Sequence, residues 1–172
     1  MRNLILGLIL GILLVPAVVY LYLWSGRAPV ATAEPMMPFE KRLADVAMHA
    51  KLRKEQPQIV PLQPDETTYL AGVRVYRKDC AMCHGLPNQP PPEVIKGMFP
   101  KCPQLLPPHK GVTDDPAGKT FWKVKNGIRL SGMPSFRDSF SDEQLWQVSL
   151  LLANADKLSD SVNQALAAPP PK

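Results

Sequence analysis

Five consecutive residues, Cys80-Ala81-Met82-Cys83-His84, hold two of the three cysteines and one of the three histidines in this 172-residue chain. Three chemistries use a C-x-x-C pair. A dithiol redox pair sits at a helix N-terminus within a β-α-β pattern. Here the preceding residues read as helix, and no parallel-sheet pattern lies nearby. A zinc site needs four ligands, usually as two separated pairs. Only Cys102, His49 and His109 remain to complete one, at no familiar spacing. The third chemistry is covalent haem attachment. The two thiols add to the two vinyl groups of one porphyrin, and the adjacent histidine is the proximal iron ligand. The residue pattern favours this third reading: Cys80 and Cys83 as thioether anchors, His84 as axial ligand, and one haem c per chain.

Such an iron needs a sixth ligand or an open position. Forty-nine residues beyond His84 stands Met133, in the stretch NGIRLSGMPSF. Its thioether is a soft donor, followed by a rigid proline within a loop holding two glycines. A lone methionine is otherwise core filler. The other methionines are poorly placed: Met82 lies inside the motif, and Met1, Met36, Met37 and Met48 precede the domain. Met98 is the one serious rival. A His/Met pair closes both axial positions and raises the reduction potential, which suits electron transfer rather than oxygen activation.

Several segments must position these residues. Leu4 to Trp24 carries no charge. As a helix it would reach about 31 Å, roughly one hydrocarbon core. Tyr20, Tyr22 and Trp24 gather at its far end, where amphipathic rings favour the interface. Residues 1–26 are therefore expected to be a membrane anchor, with a cleavable signal peptide ending near Ala31–Ala33 as the alternative. Residues 27–64 read as linker with a short basic helix over 40–55, whose stripe is Leu43, Val46, Ala47, Ala50 and Lys54. It is a spacer, or it lies on the membrane or the domain. A globular domain is expected over 65–158. Its first helix, capped by Asp65 or Thr67, delivers the cysteine pair. Residues 85–115 are loop-rich and dense in proline. A helix runs from Ala117 to about Lys125 and ends at Asn126–Gly127. Another starts at Ser141, with Gln144 completing a capping box. Residues 159–172 read as a tail, with a short helix at best.

With these motifs in place, Glu66 to Ala155 resembles the class I c-type cytochromes, particularly the small domains akin to those of cbb3-type oxidases. The resemblance implies an all-α fold of three to four helices around one covalently bound haem. Gly72 and Tyr76 match the pattern of its first helix, which crosses the last helix at Trp146. The resemblance also implies that a proline carbonyl orients the proximal histidine. CPQLL matches that element best, giving this role to Pro103, with Pro100 as substitute, and placing Leu105 against the porphyrin. Trp122 and Asn126 become candidates for haem packing and a propionate hydrogen bond, although Trp122 is equally an ordinary core aromatic. Phe136 and Ile128 would line the pocket. Two departures stand out: the proline-rich segment after His84, and Cys102. A leftover cysteine in an exported chain pairs with another chain or stays free, and a buried free thiol is the simpler reading.

The net charge of +5, with a pI near 9.2, is too mild and mixed for nucleic-acid binding. The expectation is a single-electron carrier rather than an enzyme, anchored in a bacterial inner membrane with its domain in the periplasm or outside. Its partners would be other redox proteins or a membrane oxidoreductase complex, with no small-molecule substrate. A fixed haem subunit of a larger complex is one alternative. A haem-based gas sensor is another, and would need Met133 to detach. Lys96, Lys101, Lys110, Lys119, Lys123, Lys125, Arg129 and Arg137 could form a basic rim that steers an acidic partner.

Overall fold

The computed structural model describes residues 1–168. The regular structure among those residues is helical, with no strand. The chain divides into two compact units, Met1–Ala44 and Asp45–Lys172.

The first unit is dominated by α1 (Arg2–Trp24), in which no residue is buried. Its length and composition satisfy the requirement for crossing a membrane, and a leader sequence satisfies the same test. Pro16 lies inside it.

The helix α2 (Glu40–Glu55) begins in the first unit and ends in the second. Its apolar stripe does not bury: Leu43 and Val46 are exposed, whereas Leu52, on the opposite face, is 3 % exposed. The expectation of a linker over 27–64 is corrected here. Leu62 packs against the core, and Trp122 donates its indole N–H to Glu55. Pro57 lies so close to α5 that a Cβ on Gly118 would meet its carbonyl oxygen at 1.9 Å. Residues from Leu52 onward are thus walls of the domain.

Within the second unit, α3 (Glu66–Val75) is capped by Asp65, whose carboxylate accepts the Thr68 N–H at 2.8 Å. It crosses α6 (Asp142–Ala153) at Gly72, where a Cβ would stand 2.4 Å from the Gln147 carbonyl oxygen. Only glycine permits that approach. One π-helical turn, Tyr76–Cys80, then leads into α4 (Ala81–His84). Such wide turns shift the register of a helix and recur beside functional residues. Here the shift buries Cys80 while Met82 faces solvent, 64 % exposed.

The helix α5 (Ala117–Asn126) buries Phe121 and Val124 and stops at Gly127, which takes φ 70°. The helix α6 carries the expected box: the Ser141 hydroxyl accepts the Gln144 N–H, and the Gln144 side chain accepts the Ser141 N–H. Its Leu145, Val148 and Leu151 are fully buried, and Trp146 stacks on Phe121 with ring centroids 4.2 Å apart. The expected pairing of Gly72 and Tyr76 with Trp146 is thus refined. Gly72 meets the backbone of the next residue, and the Tyr76 hydroxyl donates to the Gly85 carbonyl at 2.8 Å.

The short helix allowed for within 159–172 is present, and it packs on the core. Residues Asp160–Ala167 form α7, whose Val162 and Leu166 are fully buried. Arg77 caps its C-terminus by donating to the carbonyls of Leu166 at 2.8 Å and Ala165 at 3.2 Å. A cation there also complements the helix dipole. Residues 169–172 of the proposed tail lie outside the described residues.

Candidate functional site

The site is built from a helix end and two loops. At the helix end, His84 closes α4, and Gly85 turns the chain away at φ 74°. A Cβ on Gly85 would lie 2.3 Å from Oε1 of Gln104, so glycine lets the loop 102–105 fold back onto the motif. That fold brings the Pro103 carbonyl oxygen to 2.7 Å from His84 Nδ1. A carbonyl can only accept, so Nδ1 carries the proton and Nε2 keeps its lone pair. Burial lowers the pKa of His84, while its bond to Pro103 raises it. The result favours the neutral imidazole, the form that binds a metal.

The surroundings of Cys80 do not favour a reactive thiolate. Cys80, Cys83 and Cys102 are all free. Burial, with a smaller contribution from Asp79, pushes the Cys80 thiol up to about 12. A redox-active C-x-x-C motif needs the opposite shift. Nor do the described residues group three or more His, Cys, Asp or Glu side chains that could hold a metal ion. His49 and His109 are both exposed. Beside the motif, the buried Gln104 amide nitrogen has no hydrogen-bond partner among the described residues. A buried donor without an acceptor fits a group that the chain itself does not supply. The donor set of two thiols, a neutral oriented imidazole and an orphaned amide is compatible with haem.

Met133 sits in a loop pinned at several points. Ile128 donates its N–H to the Met133 carbonyl at 3.1 Å, and the Met133 N–H goes to the Ser131 hydroxyl at 3.2 Å. Phe136 donates to the Val124 carbonyl at 3.1 Å, and the Ser135 hydroxyl donates to the Lys125 carbonyl at 2.7 Å. Gly127 makes this possible, since a Cβ there would lie 2.6 Å from the Ser135 nitrogen. Met133 and Phe136 are half-buried and pack on the core, where Leu105 is buried. Met98, the rival thioether, lies next door: its methyl group fills the space a Cβ on Gly132 would take.

Trp122 and Asn126 are engaged elsewhere. The indole N–H of Trp122 goes to Glu55 at 3.2 Å. Asn126 donates to the Trp122 carbonyl at 2.9 Å and accepts from Arg137 at 2.5 Å. Five lysines of the expected basic rim share four carboxylates. Lys96 pairs with Glu93, Lys110 with Asp114, Lys119 and Lys123 with Asp115, and Lys125 with Asp142. Among the described residues, Lys101 and Arg129 are exposed and make no ion pair.

Sequence reasoning missed the orphaned amide of Gln104, the contact of Met98 with Gly132, and the place of Cys102 against His84. The Cys102 sulfur lies 3.4 Å from Nδ1. No spacing signals such contacts, because each joins residues from different loops.

An all-helical domain with C-x-x-C-H at a helix end, a carbonyl on the histidine Nδ1 and a methionine loop following the next helix defines a cytochrome c domain. Residues 67–150 match the family described as cytochrome C oxidase, cbb3-type, subunit III, which supports a cbb3-type cytochrome c domain over that stretch. Comparison with curated proteins gave no match, and comparison with solved structures gave none either. A cytochrome c domain implies haem c binding and electron transfer.

Proposed function

We infer that the chain is a membrane-tethered carrier of single electrons, with a domain spanning about 52–168. Cys80 and Cys83 hold haem c through two thioether bonds, each formed by adding S–H across one vinyl group. His84 Nε2 and Met133 Sδ would supply the protein's donors to the iron, and α1 is the anchor, leaving the domain on the exported side of a bacterial inner membrane. When bound, haem supplies the one-electron couple: one electron arrives from a reduced partner and one leaves to an oxidised partner. The chain's own residues do the rest. Pro103 fixes the imidazole tautomer and aims Nε2. The ties on Ile128, Ser131 and Ser135 hold the Met133 loop, and Leu105 and Phe136 add apolar walls.

The observation that carries this reading is the 2.7 Å contact between His84 Nδ1 and the Pro103 carbonyl. It leaves one lone pair, on Nε2 of the histidine that directly follows the C-x-x-C pair. The family name adds support for a second role, as a fixed haem subunit of a terminal oxidase or another membrane oxidoreductase. Trp122 and Asn126 are weaker candidates for propionate contacts than at first reading, since their polar atoms already have partners. With most lysines paired, steering of an acidic partner rests on Lys101, Arg129 and Arg137, the last bonded only to the neutral Asn126 amide.

The test is expression of the full chain with a haem-attachment system, followed by denaturing electrophoresis with haem staining. Haem that stays with the chain in the wild type, and is lost in Cys80→Ser/Cys83→Ser, supports the reading. A chain without covalent haem would overturn it. Detergent extraction then separates the two roles, since a free carrier is purified alone and a fixed subunit brings its complex with it.

A further inference from the structure

The third cysteine completes the seat of the axial histidine. Cys102 Sγ lies 3.4 Å from the Cys83 carbonyl oxygen, to which its S–H donates. The same sulfur is 3.4 Å from Nδ1 of His84 and 4.0 Å from Nε2. On the Nδ1–H axis, the sulfur would be farther from Nε2 by nearly the width of the ring. The two distances differ by only 0.6 Å (4.0 against 3.4), so the sulfur rests over the ring face. It is also 3.9 Å from the Pro103 carbonyl oxygen. Cys102 therefore roofs both ends of the hydrogen bond that orients His84. Pro103 itself is exposed and His84 only half-buried, so that bond has little other cover.

Building on the assignment of His84 as axial ligand, we propose that Cys102 is a positioning residue for the axial imidazole. Its S–H anchors to Cys83, and its polarisable sulfur covers the Nδ1–H···O=C bond, restricting ring rotation and excluding water. The role needs no titration of the thiol and no second cysteine. It also explains why a cysteine suits the position: a short side chain must reach a carbonyl one way and cover an imidazole face the other.

The experiment uses the haem-loaded full chain and proton NMR of the His84 Nδ1–H, which axial ligation shifts far outside the ordinary range. In Cys102→Ala, exchange of this proton with deuterium is expected to be at least about tenfold faster than in wild type, while backbone amides of α6 exchange unchanged. Cys102→Ser keeps a donor to Cys83 but covers less of the ring, and is expected to fall between the two. Both variants should retain covalent haem and the far-red band of thioether ligation. Equal exchange rates in wild type and Cys102→Ala would overturn the proposal, as would acceleration shared by the α6 amides. Should Cys102→Ala fail to load haem, Cys102→Ser decides: faster exchange supports the proposal and an unchanged rate overturns it. A wild-type protein that carries covalent haem but lacks any shifted Nδ1–H would overturn the axial role of His84, and the role of Cys102 with it.

Discussion

His84 and Met133 are held in different ways. The histidine ends a helix whose register is set by one π-helical turn, and its ring is held at its edge by Pro103 and over its face by Cys102. The methionine hangs in a loop fixed by backbone hydrogen bonds and by one glycine, and a second thioether lies beside it. One proposed ligand is held through its own side chain, the other through its backbone. A change on the histidine side therefore acts on the ligand itself. A change on the methionine side acts through the loop.

Predictions that break the comparison follow in order of size. His84→Ala is expected to abolish the low-spin haem spectrum, because it removes the proposed nitrogen ligand; optical spectra of the purified variant check this. Gly127→Ala strains a backbone at φ 70° and drives a Cβ into Ser135. It should cost about 1–3 kcal/mol in chemical denaturation and weaken the far-red band, while leaving haem covalently attached. Ser135→Ala removes the hydroxyl bond to the Lys125 carbonyl and should cost about 1 kcal/mol, with a faster loss of the far-red band on mild denaturation. Met98→Leu keeps volume and should leave that band unchanged; its loss would make Met98 the ligand.

Away from the ligands, Leu166→Ala should cost about 2–5 kcal/mol in the same denaturation assay, as expected for a fully buried leucine. A tail would show no such effect.

Local features were the legible ones. The caps at Asp65 and at Ser141 with Gln144 could be read because the partners lie three residues apart. The C-x-x-C-H motif was legible for the same reason. What stayed hidden was non-local. The α2 stripe of Leu43 and Val46 looked like a packing face, yet Leu52 is the residue that finds the domain. The α7 helix is short and polar, and its Val162 and Leu166 gained meaning only from the core they enter and from Arg77 reaching their helix end. The lysine excess looked like an unbroken steering field, but five of its lysines are tied to carboxylates. The CPQLL match named Pro103 by resemblance; nothing in the sequence disclosed that its neighbour Cys102 rests on the same imidazole.

The central claim is that one oriented imidazole and one loop-borne thioether define the site. The most direct measurement is the far-red absorption of the purified ferric protein beside that of Met133→Leu. The account predicts the band in the wild type and its loss in the variant, with haem still covalently bound in both. A band that survives in Met133→Leu, or a wild type without one, would contradict it.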